Sequence, residues 1–237
     1  MSFPIGRTDP TGRVPPGQRV TEKFPVLTAG TPRIAPAASW DLTLCLENTA
    51  MERTELGRWD YRGFGELPQT ETTCDIHCVT RWSKLDTRWR GVTVDDLLAA
   101  VDWRPPEPET VDGRAFPIAY VRAESDGDYA ANLKLEDLTG GQAFIATHFD
   151  GAPLEEIHGG PARLVVPKLY FWKSAKWIRR LVLGPYDRKG FWEKLGYHNY
   201  GDPWREQRYR GLSDADHRTT LDTDLSRRIR EERLGRK

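Results

Sequence analysis

Apolar and polar positions alternate cleanly from Trp40 to Glu47. Trp40, Leu42, Leu44 and Leu46 share one face and Asp41, Thr43 and Cys45 the other, which is the two-residue period of a half-buried strand. Residues 73–78 predict a second short strand, rich in Thr, Ile and Val, with Thr80-Arg81-Trp82-Ser83 as a polar, aromatic loop beyond it. Residues 88–92 lead into a helix, and there the period changes. Thr93 suits the N-cap, Asp95 and Asp96 suit the first turn, and Val94, Leu97, Leu98 and Val101 fall at i, i+3, i+4 and i+7. Pro105, Pro106 and Pro108 end it. Further strands are predicted at 116–124, 142–147 and 177–183, with turns at Ser125-Asp126-Gly127 and Asp150-Gly151. Residues 132–138 read as a short amphipathic segment closed by Gly140-Gly141, and 191–204 as an aromatic, turn-broken stretch in which His198 serves as a structural hydrogen-bonding group. Strands and helices mix without regular alternation, so the fold class is α+β.

Composition narrows the function. A chain of 237 residues forms one large domain with tails, and its 35 basic residues balance 35 acidic ones. That balance gives no reason to expect nucleic acid as a partner. No segment is long and apolar enough to span a bilayer, and the first twenty residues, rich in Pro, Gly and Arg, carry neither a secretory apolar region nor a twin-arginine signal. The expectation is a cytoplasmic protein with no membrane contact.

The candidate chemistry begins at Cys78, a thiol at the exit of a strand beside Arg81 and Trp82. A thiolate is a soft ligand for redox metals, and a nearby cation favours its ionised form; the same residue also reads as a small buried hydrophobe. Cys74 and Cys78 flank His77, an arrangement open to a zinc site or a thiol-redox pair. The other histidines are scattered, and three cysteines make no disulfide framework. Cys45 lies off the core face of its strand. A second stretch, His158-Gly159-Gly160-Pro161-Ala162-Arg163, is followed by Lys173-Ser174-Ala175-Lys176-Trp177. Its glycines let backbone approach a bulky ligand, Arg163 offers a planar fork for phosphate, and Lys176 a point charge. Lys168, Lys173, Arg179 and Arg180 make the segment locally basic.

These two stretches, in this order, resemble the sulfite oxidase-like family, which binds a molybdenum–pyranopterin (molybdopterin) cofactor. The resemblance covers about 24–210, leaving 1–23 as an extended N-terminal arm and 211–237 as a charged C-terminal tail. It implies the sulfite oxidase-type fold of mixed sheets with short helices, Cys78 as the molybdenum ligand, and His158, Arg163, Ser174, Ala175 and Lys176 against the pterin. Ser125 matches a Ser or Thr that touches the cofactor in relatives, and also reads as an ordinary turn residue. Phe24-Pro25-Val26-Leu27-Thr28 occupies the place of an early cofactor-contacting segment but lacks the His or Asn found there, so it is assigned no ligand. The resemblance further implies oxygen-atom and two-electron transfer to or from a small sulfur oxyanion or an S- or N-oxide, electrons exchanged with a separate carrier protein, and no intrinsic haem. Arg81 departs from the Cys-Val-Glu-Ala-Trp-Ser of methionine sulfoxide reductases. Facing the metal, it would be a catalytic-site cation that selects an anionic substrate; facing outward, a surface ion-pair partner. Two rivals stay open: a partner-binding module without catalysis, and a thiol-redox protein using Cys74 and Cys78.

Overall fold

A computed structural model describes residues 12–27 and 35–210; the charged 211–237 stretch lies outside the described residues. In chain order the strands are β1 (Arg19–Val20), β2 (Asp41–Glu47), β3 (Arg53–Asp60), β4 (Thr70–His77), β5 (Trp82–Thr93), β6 (Glu109–Val111), β7 (Arg114–Phe116), β8 (Tyr120–Ser125), β9 (Ala130–Lys134), β10 (Phe144–Phe149), β11 (Ala152–Pro153), β12 (Arg163–Val165) and β13 (Ile178–Gly184). Short helices α1 (Tyr61–Glu66), α2 (Val94–Ala99) and α3 (Phe191–Lys194) join them. One sheet runs β1-β5-β10-β11, with β4 added to β5 and β12 to β10; a second runs β3-β2-β13-β8-β9; β6 and β7 form a separate hairpin. The pairings β1–β5 and β2–β13 are parallel. Mixed sheets with few short helices make this α+β, as the pattern predicts.

The main core lies where the two sheets meet α1 and α2. It holds Trp40, Leu42 and Leu44 from the first predicted strand, Val94, Leu97 and Leu98 from α2, and Ile145, Leu164, Leu181 and Leu183 from the strands opposite. The Thr93 hydroxyl caps α2, accepting the Asp96 N–H at 3.0 Å. A second cluster is largely aromatic: Trp89, Phe144 and Phe171, with Phe24, Trp82 and Phe149 packed against it. A third gathers Cys78, Val79, Tyr170, Trp172 and Tyr197. Cys78 thus stands at the edge of the fold's aromatic interior.

Three local expectations are corrected. Trp82 and Ser83 are not loop and residues 88–92 not merely the approach to a helix: both belong to the twelve-residue β5. Thr87, Trp89 and Gly91 are buried while Asp86, Arg88 and Arg90 are exposed, so the alternation was present but carried by charges on its outer face. The 132–138 segment is the end of β9, buried along Ala130–Leu133 side chains, followed by a 3-10 turn over Leu135–Asp137. The predicted 116–124 strand is broken after Phe116, where Pro117 offers no N–H to a ladder, and resumes as β8. The closing segment folds back on the third cluster. His198 Nδ1 accepts the N–H groups of Tyr200 and Gly201 at 3.1 Å each, the structural role expected of it, and Tyr170 N–H donates to the Gly201 carbonyl at 2.8 Å.

Candidate cofactor site around Cys78 and Arg163

Cys78 begins the tight connection between β4 and β5. Its N–H donates to the Trp82 carbonyl at 2.8 Å, and its own carbonyl accepts the Arg81 N–H at 3.0 Å. Arg81 closes the turn with φ +70°, a left-handed backbone uncommon for a residue with a side chain. The thiol is buried, with Sγ 3.2 Å from the Thr80 hydroxyl. Burial raises its pKa, opposed by the Thr80 hydrogen bonds and the charge of Arg208. A buried thiol held high and open to one soft ligand suits a metal that ionises it on binding.

Cys74 does not join it. Its sulfur lies 3.7 Å from the Thr87 hydroxyl and packs in the second aromatic cluster, while Cys78 packs in the third. Residues four apart along a strand are separated by about 13 Å at roughly 3.3 Å per residue, beyond the roughly 7 Å limit for a disulfide. Burial pushes the Cys74 thiol up to about 11 and holds His77 down to about 4, its Nδ1 2.9 Å from the Ser83 hydroxyl. Among the described residues no group of three or more His, Cys, Asp or Glu side chains is arranged to hold a metal. The zinc and dithiol readings of the Cys74–Cys78 pair both fail on this geometry.

The second stretch builds a cationic cradle. Arg163, at the start of β12, is 1% exposed. Its guanidinium donates to the carbonyls of His158 at 2.6 Å and Ser174 at 2.8 Å and lies 4.1 Å over the Phe171 ring. Among the described residues no carboxylate pairs with it, and burial holds its pKa down to about 9. Lys176 donates to the carbonyls of Leu27 at 3.0 Å and Ile157 at 2.9 Å. Burial and Arg163 lower its pKa to about 8, while Cys78 raises it, so Lys176 lies within electrostatic reach of both. His158, lowered by burial, Arg163 and Lys176, keeps Nδ1 buried without a hydrogen-bond partner. Ser125 sits at the end of β8 opposite Ile178, and its buried hydroxyl also lacks a partner. The Ser174 hydroxyl accepts the Val166 N–H at 2.9 Å, and the Ala175 carbonyl accepts the Leu164 N–H at 2.8 Å. Those two residues shape the loop with their own groups already engaged. A buried arginine without a counter-charge, a lysine beside it and two orphaned polar atoms fit an anionic, hydrogen-bonding ligand such as a pterin phosphate.

Two parts of the sequence reading change. The glycines are required by the protein itself: a Cβ on Gly160 would stand 2.1 Å from the Leu154 carbonyl, and one on Gly159, at φ +112°, 3.0 Å from the Lys176 Cβ. The local basic charge is also largely neutralised. Lys168 pairs with Asp137, Arg179 with Asp41 and Arg180 with Glu124, and buried Lys173 pairs with Glu193 at 2.6 Å. A separate groove of about 410 Å³ on the outer face of β2, β3 and β13 includes Cys45 and these paired arginines; it lies away from Cys78.

Arg81 and three residues without a sequence motif complete the surroundings of Cys78. Arg208, from the closing segment, is buried, donates to the Val79 carbonyl at 2.5 Å and lies 4.9 Å over the Tyr170 ring. Its Nε and Nη2 atoms and the Tyr170 hydroxyl are buried without hydrogen-bond partners; Glu206 stands 3.9 Å from Nη2. Burial lowers the pKa of Arg208, with the charge of Arg81 adding to it, and burial raises that of Tyr170, opposed by the charges of Arg208 and Arg81. A Cβ on Gly17 would stand 3.2 Å from Arg81 Nη1 and 3.6 Å from Arg208 Nη2, so the two arginines are neighbours. From the N-terminal arm, Gln18 Nε2 donates to the Cys78 carbonyl at 3.0 Å. No spacing rule links positions 18, 170 and 208 to Cys78, and only the fold brings them there.

Residues 28–192 match the oxidoreductase molybdopterin binding domain family. The chain belongs to this family. It is a molybdenum-dependent oxidoreductase of the sulfite oxidase-like type. It is 38% identical over 206 residues to the uncharacterized oxidoreductase YuiH of Bacillus subtilis, covering 86% of this chain and 95% of that protein. Over 149 residues it is 27% identical to mitochondrial sulfite oxidase of Rattus norvegicus, covering 61% of this chain but 24% of that one. The crystal structure of the sulfane dehydrogenase SoxCD from Paracoccus pantotrophus matches with a TM-score of 0.50 at 20% identity, over 68% of this chain and 41% of that chain. This likeness establishes the shared sulfite oxidase-type fold.

Proposed function

We propose that this oxidoreductase transfers an oxygen atom and two electrons to or from a small sulfur oxyanion and exchanges the electrons with a separate carrier protein. The observation that carries the choice of an anion is the pairing of Arg81 and Arg208 beside Cys78, with Arg208 Nε and Nη2 and the Tyr170 hydroxyl buried and lacking partners. A neutral S- or N-oxide is the second reading. It would offer no anionic acceptor to the buried Arg208 Nε and Nη2 atoms and the Tyr170 hydroxyl, which lack hydrogen-bond partners.

When bound, the molybdenum–pyranopterin supplies the redox chemistry. In this reading Cys78 gives up its proton and contributes the protein's thiolate ligand. Arg163, whose nitrogens already donate to the carbonyls of Leu164, His158 and Ser174, would favour the pterin phosphate with its charge. Lys176, with two N–H groups already on Leu27 and Ile157, would turn its third toward the ligand. His158 and Ser125 satisfy polar ring atoms of the pterin with Nδ1 and Oγ. Arg208 and Tyr170 orient the substrate oxygens, and Arg81 adds charge that favours entry of an anion.

Elemental analysis of the purified chain should give about one molybdenum per protein, with a fluorescent oxidised pterin released on denaturation. The loaded protein should turn over sulfite faster than a neutral sulfoxide. Stoichiometric zinc in place of molybdenum would overturn the cofactor reading, and faster turnover of the sulfoxide would favour the second substrate class.

A further inference from the structure

The N-terminal arm and the residues that follow it, 13–27, touch Cys78, His158 and Lys176 of the proposed cradle. Gln18 Nε2 donates to the Cys78 carbonyl at 3.0 Å. The Arg19 N–H donates to the Arg81 carbonyl at 3.0 Å and the Thr21 N–H to the Ser83 carbonyl at 2.9 Å, laying β1 parallel to β5. The Phe24 ring stacks on His158 with centroids 4.0 Å apart and planes 8° apart. The Leu27 carbonyl accepts from Lys176 at 3.0 Å. At its far end Arg13 pairs with Asp75 and Asp86, 2.6 Å from each, on the β4–β5 hairpin.

From this geometry we propose that residues 13–27 form a strap that closes over the cofactor cradle, positions the Cys78 loop and holds the pterin in. The proposal rests on the reading that Cys78, His158 and Lys176 hold the cofactor. The strap is built to open locally. β1 is two residues long, it lies at the edge of its sheet, and its outer anchor is an ion pair of Arg13 with half-buried Asp75 and exposed Asp86 rather than an apolar core contact. Such a segment detaches at far less cost than global unfolding. Opening would withdraw Gln18 from Cys78, Phe24 from His158 and Leu27 from Lys176 together, freeing the metal-ligand loop, His158 and Lys176. The same movement gives the cofactor a route in, after which closure completes the site.

Arg13 lies outside the cradle, so its substitution tests the strap without touching a cofactor group. Full-length protein loaded with cofactor is held in dilute buffer, filtered at intervals, and the filtrate assayed for oxidised pterin fluorescence. Arg13→Glu, which sets a negative charge against Asp75 and Asp86, should release pterin about tenfold faster than wild type. Arg13→Lys should stay within about twofold, and Thr21→Pro, which deletes the N–H bonded to Ser83, should match Arg13→Glu. Limited proteolysis should cut the arm faster in those two accelerated variants. Release at the wild-type rate from both Arg13→Glu and Thr21→Pro would overturn the strap while leaving the cofactor reading intact. A wild-type chain that holds no pterin would overturn the cofactor reading beneath it.

Discussion

The Arg163 guanidinium stands 4.1 Å over the Phe171 ring and spends its hydrogen bonds on the carbonyls of His158 and Ser174. This is a buried cation for which the described residues supply no carboxylate partner. A charged hydrogen bond contributes about 1.5–3 kcal/mol, so Arg163→Ala should lower molybdenum and pterin occupancy at least tenfold. Activity per bound molybdenum should fall much less. Metal analysis alongside turnover separates the two: full molybdenum content with no activity would move Arg163 to the substrate side.

Lys176 gives the cofactor-free protein a pH signature. Burial and Arg163 lower its pKa from 10.5 to about 8, so between those values the unfolded chain binds a proton that the folded chain has released. Stability should therefore rise with pH across this window and lose that dependence below about pH 8, where both states are protonated. Denaturant titrations at pH 7, 8, 9 and 10 should show the rise in wild type and a flatter profile in Lys176→Met. An equal rise in the variant would assign it to other groups.

Lys173 and Glu193 form a buried ion pair, to which Asn132 and Trp172 add hydrogen bonds. Removing one partner strands the other charge, at a cost of about 3–5 kcal/mol. Glu193→Ala should lower the unfolding free energy by that amount, measured by urea titration, and Lys173→Met with Glu193→Leu together should recover much of it. A single-variant loss below about 1 kcal/mol would show that the pair is hydrated.

Arg81 tests the substrate class. Alanine tolerates the same backbone φ as well as arginine does, so Arg81→Ala removes the charged side chain without new backbone strain. KM for sulfite should rise tenfold or more, the loss of a charged interaction worth about 1.5 kcal/mol, while kinetics with a neutral sulfoxide hardly change. Equal losses on both substrates, or none, would contradict an anionic substrate. Arg208→Ala should follow the same pattern with a larger effect, because Arg208 is the more deeply buried cation.

What the sequence revealed depended on how locally each feature is encoded. The alternation of Trp40, Leu42, Leu44 and Leu46 and the Thr93 cap are written in consecutive residues, and both elements form. The anchor stretch is nearly as local: His158, Arg163, Ser174 and Lys176 lie within 19 positions and meet through direct bonds between loop carbonyls and charged side chains. β5 was obscured because Asp86, Arg88 and Arg90 occupy its solvent face, where charge costs a strand little. Gln18, Tyr170 and Arg208 escaped altogether, since they reach Cys78 through β1 pairing with β5 and the closing segment folding back, and neither arrangement leaves a periodic trace. Gly159 and Gly160 also serve the chain itself, since a Cβ on either would press against Lys176 or Leu154, and no local pattern shows that contact.

The central claim is that Cys78 is the protein's one ligand to molybdenum. The measurement that tests it most directly is the electronic absorption spectrum of molybdenum-loaded Cys78→Ser, set beside Cys45→Ser and Cys74→Ser. Cys78→Ser should lose the sulfur-to-metal absorption of the wild type together with turnover, whereas the other two substitutions should leave both intact. A Cys78→Ser protein with an unchanged spectrum and full activity would contradict the account.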